Sequence, residues 1–227
     1  MGFGFLFIGY FFLLFYPLDT IGMLPNLSII GCVLMLAAMK RLIQYCPENK
    51  SFKAAKYALV LLSLFSAAML VLNFIPADTT SADSASAASM GTICIYSAVL
   101  LAKLTLCIYS ITLFLGIHRL SNEVELPKLA SAATRRITVT GVFGAAMLLS
   151  GIAEIVISST ATVNDEFRMI VAYVGLFSRL LEYVCILVNL LLIFSCYAKI
   201  CLEGDEDMPY REDVFDKIIA WTKRNKK

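Results

Sequence analysis

The sequence predicts an all-α, polytopic integral membrane bundle of about six transmembrane helices with both termini cytoplasmic. Three observations carry this. Apolar residues make up 59% of the 227 positions and charged residues only 16%, against about 45–50% and about 25% in a soluble domain. The charges are segregated, leaving long runs nearly free of them, and a hydrocarbon core about 30 Å thick needs roughly 20 apolar residues as a helix. These runs are continuously apolar, whereas barrel strands alternate apolar and polar residues. A helix also satisfies its own backbone hydrogen bonds in lipid. The bundle is assigned to 1–200 and a cytoplasmic tail to 201–227.

The first apolar segment, 2–18, is rich in aromatics and ends at Pro17 and Asp19. As a helix it covers about 26 Å, short for a crossing. It has no basic leader and no small-residue cleavage site, so it reads as a retained span rather than a signal peptide. The second span, 21–39, carries Pro25 near its start, where proline is tolerated, and is closed by Lys40 and Arg41. A basic loop with Lys50, Lys53 and Lys56 leads to an uncharged third span, 57–75, stopped by Pro76. Residues 77–91 are Ala- and Ser-rich with Asp78 and Asp83 and no base, a composition expected of a flexible loop.

The fourth span, 92–117, contains Lys103; a basic loop, 118–136, follows. The fifth, 137–159, contains Glu154, and the sixth, 167–200, contains Arg179 and Glu182. In the tail, an acidic stretch at 203–207 and Pro209 precede Val214, Phe215, Ile218 and Ile219 at helical spacing, with a basic end. That pattern predicts a short amphipathic helix on the inner membrane face. Positive charge favours the cytoplasmic side. Lys40, Arg41, Lys50, Lys53, Lys56, Arg119, Lys128, Arg135, Arg136 and Lys199 fall in alternate loops or the tail, which sets the orientation.

The charges inside the spans point to a site. A central charge costs roughly 2.5–3.5 kcal/mol on insertion, so Lys103, Glu154, Arg179 and Glu182 are expected to neutralise one another in the folded bundle. Helical spacing places Gly175, Arg179, Glu182 and Asn189 on one stripe of the sixth span. Thr140, Gly144, Met147, Gly151, Glu154 and Ser158 share a stripe of the fifth, and Thr92, Tyr96, Lys103 and Ser110 one of the fourth. The expected pairs are Lys103 with Glu182 and Arg179 with Glu154, with Tyr96, Tyr183 and Asn189 lining any pocket.

Two functions fit. One is small-molecule binding or transport, as a substrate-binding subunit or small permease, or a proton or ion path, through the charged cluster. The other is a non-catalytic membrane subunit or regulator that docks partners through the cytoplasmic loops and tail. The expected partners are the lipid bilayer, a small-molecule ligand and a membrane protein, in a bacterial inner membrane.

No cofactor or metal is expected. The seven cysteines form no C-x-x-C pair, His118 is the sole histidine, and no Cys/His ligand spacing occurs. Nucleotide-binding and hydrolase motifs are missing, so no catalytic residue is assigned. A net charge of +2 is too small to suggest a nucleic-acid partner.

Overall fold

The computed structural model describes residues 2–15, 27–74, 85–159 and 165–203. Among them are six α-helices and no strand: α1 (Phe3–Phe12), α2 (Leu27–Tyr45), α3 (Lys50–Phe74), α4 (Ala85–Glu123), α5 (Pro127–Ser159) and α6 (Asp165–Glu203). A 3-10 turn, Leu13–Phe15, extends α1. Helices α2 to α6 are each long and apolar enough to cross a membrane, which fits a multi-pass membrane protein. The remainder of the first segment, the start of the second, most of the acidic loop and the tail beyond Glu203 lie outside the described residues.

Each helix packs against its chain neighbours, and α1 also packs against α6, closing a ring. Phe7 and Phe194 make that closure, with ring centroids 5.5 Å apart. Helix α4 reaches every other helix through side chains. Ser110 meets Tyr10 of α1 and Tyr109 donates to Met35 of α2. Gly116 faces the Phe52 ring of α3, Cys107 meets Thr140 of α5, and Lys103 meets Glu182 of α6.

The exterior is far more apolar than that of a water-soluble protein, and polar groups sit among the buried hydrophobic residues. Leu61, Leu64, Leu104, Ile108, Leu149, Ile152, Leu176, Phe177, Leu180 and Leu191 are exposed, while Thr105, Ser110, Thr140, Ser150, Ser178, Glu182 and Asn189 are buried. An apolar exterior this extensive suits contact with lipid chains.

The connections are tighter than the charge pattern predicts. The basic stretches expected as loops are mostly helix: α2 runs on to Tyr45, α3 begins at Lys50, α4 continues to Glu123 and α5 begins at Pro127. Long Lys and Arg stems lie along apolar surface while their heads reach water, so a basic residue need not end a helix. Asn49 caps α3 by accepting from the Ser51 amide at 3.1 Å. It also donates to the Gly116 carbonyl at 3.0 Å. At the end of α4, Leu126 N–H bonds to Ser121 O and Glu125 N–H to Asn122 O, a Schellman turn. Glu125 takes its left-handed position, with φ 58°. Pro127 then suits the first turn of α5. Helix α4 also begins at Ala85, inside the stretch expected to be a loop; alanine's helix propensity accounts for that.

Both tight turns lie at the same end of the bundle. Asn49 touches α4 near its C-terminus, and the Glu123 carboxylate adds to burial in pushing the Cys46 thiol up. Arg41 lies over the Phe5 ring at 4.6 Å, which brings the start of α1 to this end too. The end of α6 joins them, because Lys199 lines a groove with Leu126 and Pro127.

Candidate functional site

A polar network occupies the middle of the ring. Asn189 Nδ2 donates to the Tyr10 hydroxyl at 3.2 Å, and the Tyr10 and Ser110 hydroxyls bond at 3.0 Å. Thr140 Oγ1 donates to Asn189 Oδ1 at 3.3 Å. The thiols join more loosely: Asn189 Nδ2 lies 3.6 Å from Cys185 Sγ, and Cys107 Sγ 3.7 Å from the Thr140 carbonyl. Four helices thus contribute to one hydrogen-bonded cluster, which satisfies groups that would be costly to bury alone.

This cluster borders a cavity of about 20 Å³, lined by Tyr10, Ser110, Thr140, Asn189 and Glu182 together with apolar side chains. That is room for roughly one water molecule. Glu182 is only 1% exposed, and Lys103 Nζ lies 3.4 Å from its Oε2. Beyond that contact, neither Glu182 oxygen has a hydrogen-bond partner among the described residues. Arg179 lies three residues earlier on α6.

Further along α6 the polar line continues. Ser150 donates to Ser178 Oγ at 2.8 Å. The Glu154 carboxylate packs on Gly175, where a Cβ would stand 2.5 Å from Oε1. From Asn189 to Gly175 these positions span about 21 Å of helix.

The structure therefore brings Lys103, Glu182 and Asn189 together and places Arg179 and Glu154 to one side. The expected Arg179–Glu154 pair does not form: Lys103–Glu182 is the ion pair found among the described residues. The physical reason is register. Glu154 sits opposite Gly175, a full turn from Arg179. Tyr183 is half-buried and does not line the cavity. Tyr96 belongs to α4, with its side chain outside the described set.

Tyr10, Cys107 and Cys185 are site residues that sequence patterning missed. The available signal for Tyr10 was its place in the series Phe3, Leu6, Tyr10, Leu13, all buried and spaced for one helix face. His118 is a clip between α4 and α5: its Nδ1 lies 3.1 Å from the Ala130 carbonyl and 3.3 Å from Thr134 Oγ1. Among the described residues no three potential metal ligands cluster.

Tyr10→Phe is expected to lower stability by about 1–3 kcal/mol, because Ser110 and Asn189 lose a shared partner in a buried site. Thermal unfolding in detergent reads this directly; an unchanged midpoint would remove Tyr10 from the network.

The described residues define an all-helical fold of multi-pass membrane type with a charged and polar centre. No family model, no curated protein and no solved structure matches it.

Proposed function

We propose that this is a transport protein of small-permease type, providing a path for protons or small ions, whose exchanging group is the Glu182 carboxylate. The observation that carries the proposal is a carboxylate almost wholly buried, whose polar contact among the described residues is the Lys103 ammonium, at the edge of a water-sized cavity. A buried pair that serves only stability needs its remaining lone pairs satisfied; this one leaves them without a partner among the described residues. The species admitted there in this conformation is a proton or an ion of water size, since a cavity of about 20 Å³ excludes a metabolite. The polar positions along α6 supply steps toward and away from Glu182.

The proposal includes six crossings with both termini cytoplasmic. Helix α1 and its 3-10 turn supply about 21 Å of the first crossing, starting at the end that carries the basic residues. Ten bases from Lys40 to Lys199 gather at that end, against Glu48, Glu123 and Glu125 among the described acidic side chains there. Positive charge of this kind favours the cytoplasm.

The test is flux in proteoliposomes under an imposed pH gradient, read by an entrapped pH-sensitive dye. Wild-type protein is expected to dissipate the gradient faster than protein-free liposomes. Glu182→Gln, which keeps the shape and removes the exchanging proton, is expected to lose that flux while remaining folded. Flux equal to that of empty liposomes, or retained by Glu182→Gln, defeats the proposal.

A second reading, a non-catalytic membrane subunit or regulator, is favoured by the same small cavity and by the strongly basic end. It predicts a stoichiometric protein partner in mild-detergent extracts, lost when 211–227 are deleted.

A further inference from the structure

A groove between α5 and α6 has a chemistry that the central site does not use. It opens at the basic end as two adjoining cavities of about 250 and about 150 Å³. The first is lined by Leu126, Pro127, Lys128, Leu129 and Lys199. The second shares Lys128, Leu129 and Lys199 and adds Arg136, Ser195, Leu191 and Leu192. Three cations from two helices therefore border one space, and among the described residues no acid lines either part.

Helix periodicity explains the convergence. Lys128, Ala132 and Arg136 recur every four residues on α5, as do Leu191, Ser195 and Lys199 on α6, so each set faces one side. The helices pack side by side, with the first turn of α5 beside the last turns of α6. Lys128 and Lys199 stand at the rim, both exposed, and Arg136 is half-buried further in. The wall beyond Arg136 is apolar, and Leu191 is 61% exposed on the side that would meet lipid chains.

Like charges brought together without an acid repel one another unless an anion joins them. The occupant must also tolerate an apolar wall continuous with the membrane-facing surface. We infer that this groove binds an anionic phospholipid, with the phosphate between Lys128, Arg136 and Lys199 and an acyl chain along Leu191. Basic recesses between transmembrane helices at the cytoplasmic surface suit this ligand class. The inference does not depend on the transport reading of the central site.

The test is native mass spectrometry of the full chain released from phosphatidylcholine bilayers doped with phosphatidylglycerol. Wild-type protein is expected to retain phosphatidylglycerol in preference to phosphatidylcholine. Lys128→Gln and Lys199→Gln change exposed positions, so folding should survive. Each is expected to lower retention roughly fivefold, the effect of about one interfacial charge, and the pair to lower it further. Lys50→Gln/Lys53→Gln, on α3 outside the groove, is the control and is expected to leave retention unchanged.

Equal losses in the control and the groove variants overturn the inference, since the effect is then general surface charge. Unchanged retention in the groove variants also overturns it, including the case in which the acidic stretch 203–207 of the chain fills the groove. In a third arm, inorganic phosphate is added to the bilayers. Phosphate adducts replacing the lipid adducts would assign the groove to a free anion and overturn the lipid assignment; persistence of the lipid adducts supports it.

Discussion

Replacing Lys103 with methionine is expected to destabilise the bundle by about 3–5 kcal/mol, the usual cost of leaving one member of a buried pair without the other. The cost falls mainly on Glu182, which is 1% exposed, whereas the Lys103 side chain is 14% exposed. Glu182→Met should therefore cost less than Lys103→Met, because the abandoned ammonium sits on a long flexible stem that can carry it to other polar groups of the bundle. The double variant should recover most of the loss, since replacing both charges with apolar groups of similar volume is often neutral. Equilibrium unfolding of the four proteins in mixed detergent gives the coupling energy directly.

Two additive single effects, each below about 1 kcal/mol, would mean that the ion pair does not hold α4 to α6. A stable double variant also separates stability from function. If it folds like wild type and carries no flux, the pair serves transport; if it keeps the flux, the pair serves helix register alone.

How much of this site was legible depends on contrast. Lys103 and Glu182 stand out because a charge in an apolar run is costly wherever it lies, and helical spacing puts each on a stripe with other polar residues. The partner of Arg179 was not legible. It depends on the relative height of α5 and α6, which is set where Glu154 packs on Gly175, and spacing within one helix carries no information about height between helices. Tyr10 was hidden for the opposite reason: in a segment crowded with Phe, one added hydroxyl gives little contrast.

The helix ends show a similar limit. Asn49 and Glu125 end or begin helices through local hydrogen bonds inside stretches whose charge alone suggests loops. Long basic side chains can belong to helix as readily as to loop, so charge located the basic end of the bundle without locating its turns.

The contact between α1 and α2 carries the second large effect. A Cβ on Gly31 would stand 2.6 Å from the Gly9 carbonyl oxygen and 2.8 Å from Phe12 Cβ. In the reverse direction, a Cβ on Gly9 would stand 2.8 Å from the Gly31 carbonyl oxygen and 2.9 Å from the Met35 nitrogen. Backbone atoms bound the space on both sides, so no rotamer change makes room, and α1 must move away from α2. Glycine here permits the close helix approach that drives association in lipid, where burial of apolar surface contributes little.

Gly31→Ala is expected to cost about 1–3 kcal/mol as an overpacking change, and Gly31→Val more. Gly141, on α5, is the internal control because a Cβ there meets nothing within 4 Å. Gly141→Ala should be neutral or stabilising by about 0.5–1 kcal/mol, the ordinary helix-propensity gain. Thermal unfolding of the two alanine variants checks the difference, and equal midpoints would show that the helices do not meet at backbone contact. The effect should extend to the central site. Tyr10 follows Gly9 on α1 and supplies the hydroxyl that links Ser110 to Asn189. A displaced α1 withdraws that hydroxyl from the cavity beside Glu182, so under the proposed transport reading Gly31→Ala should reduce flux while Gly141→Ala leaves it intact.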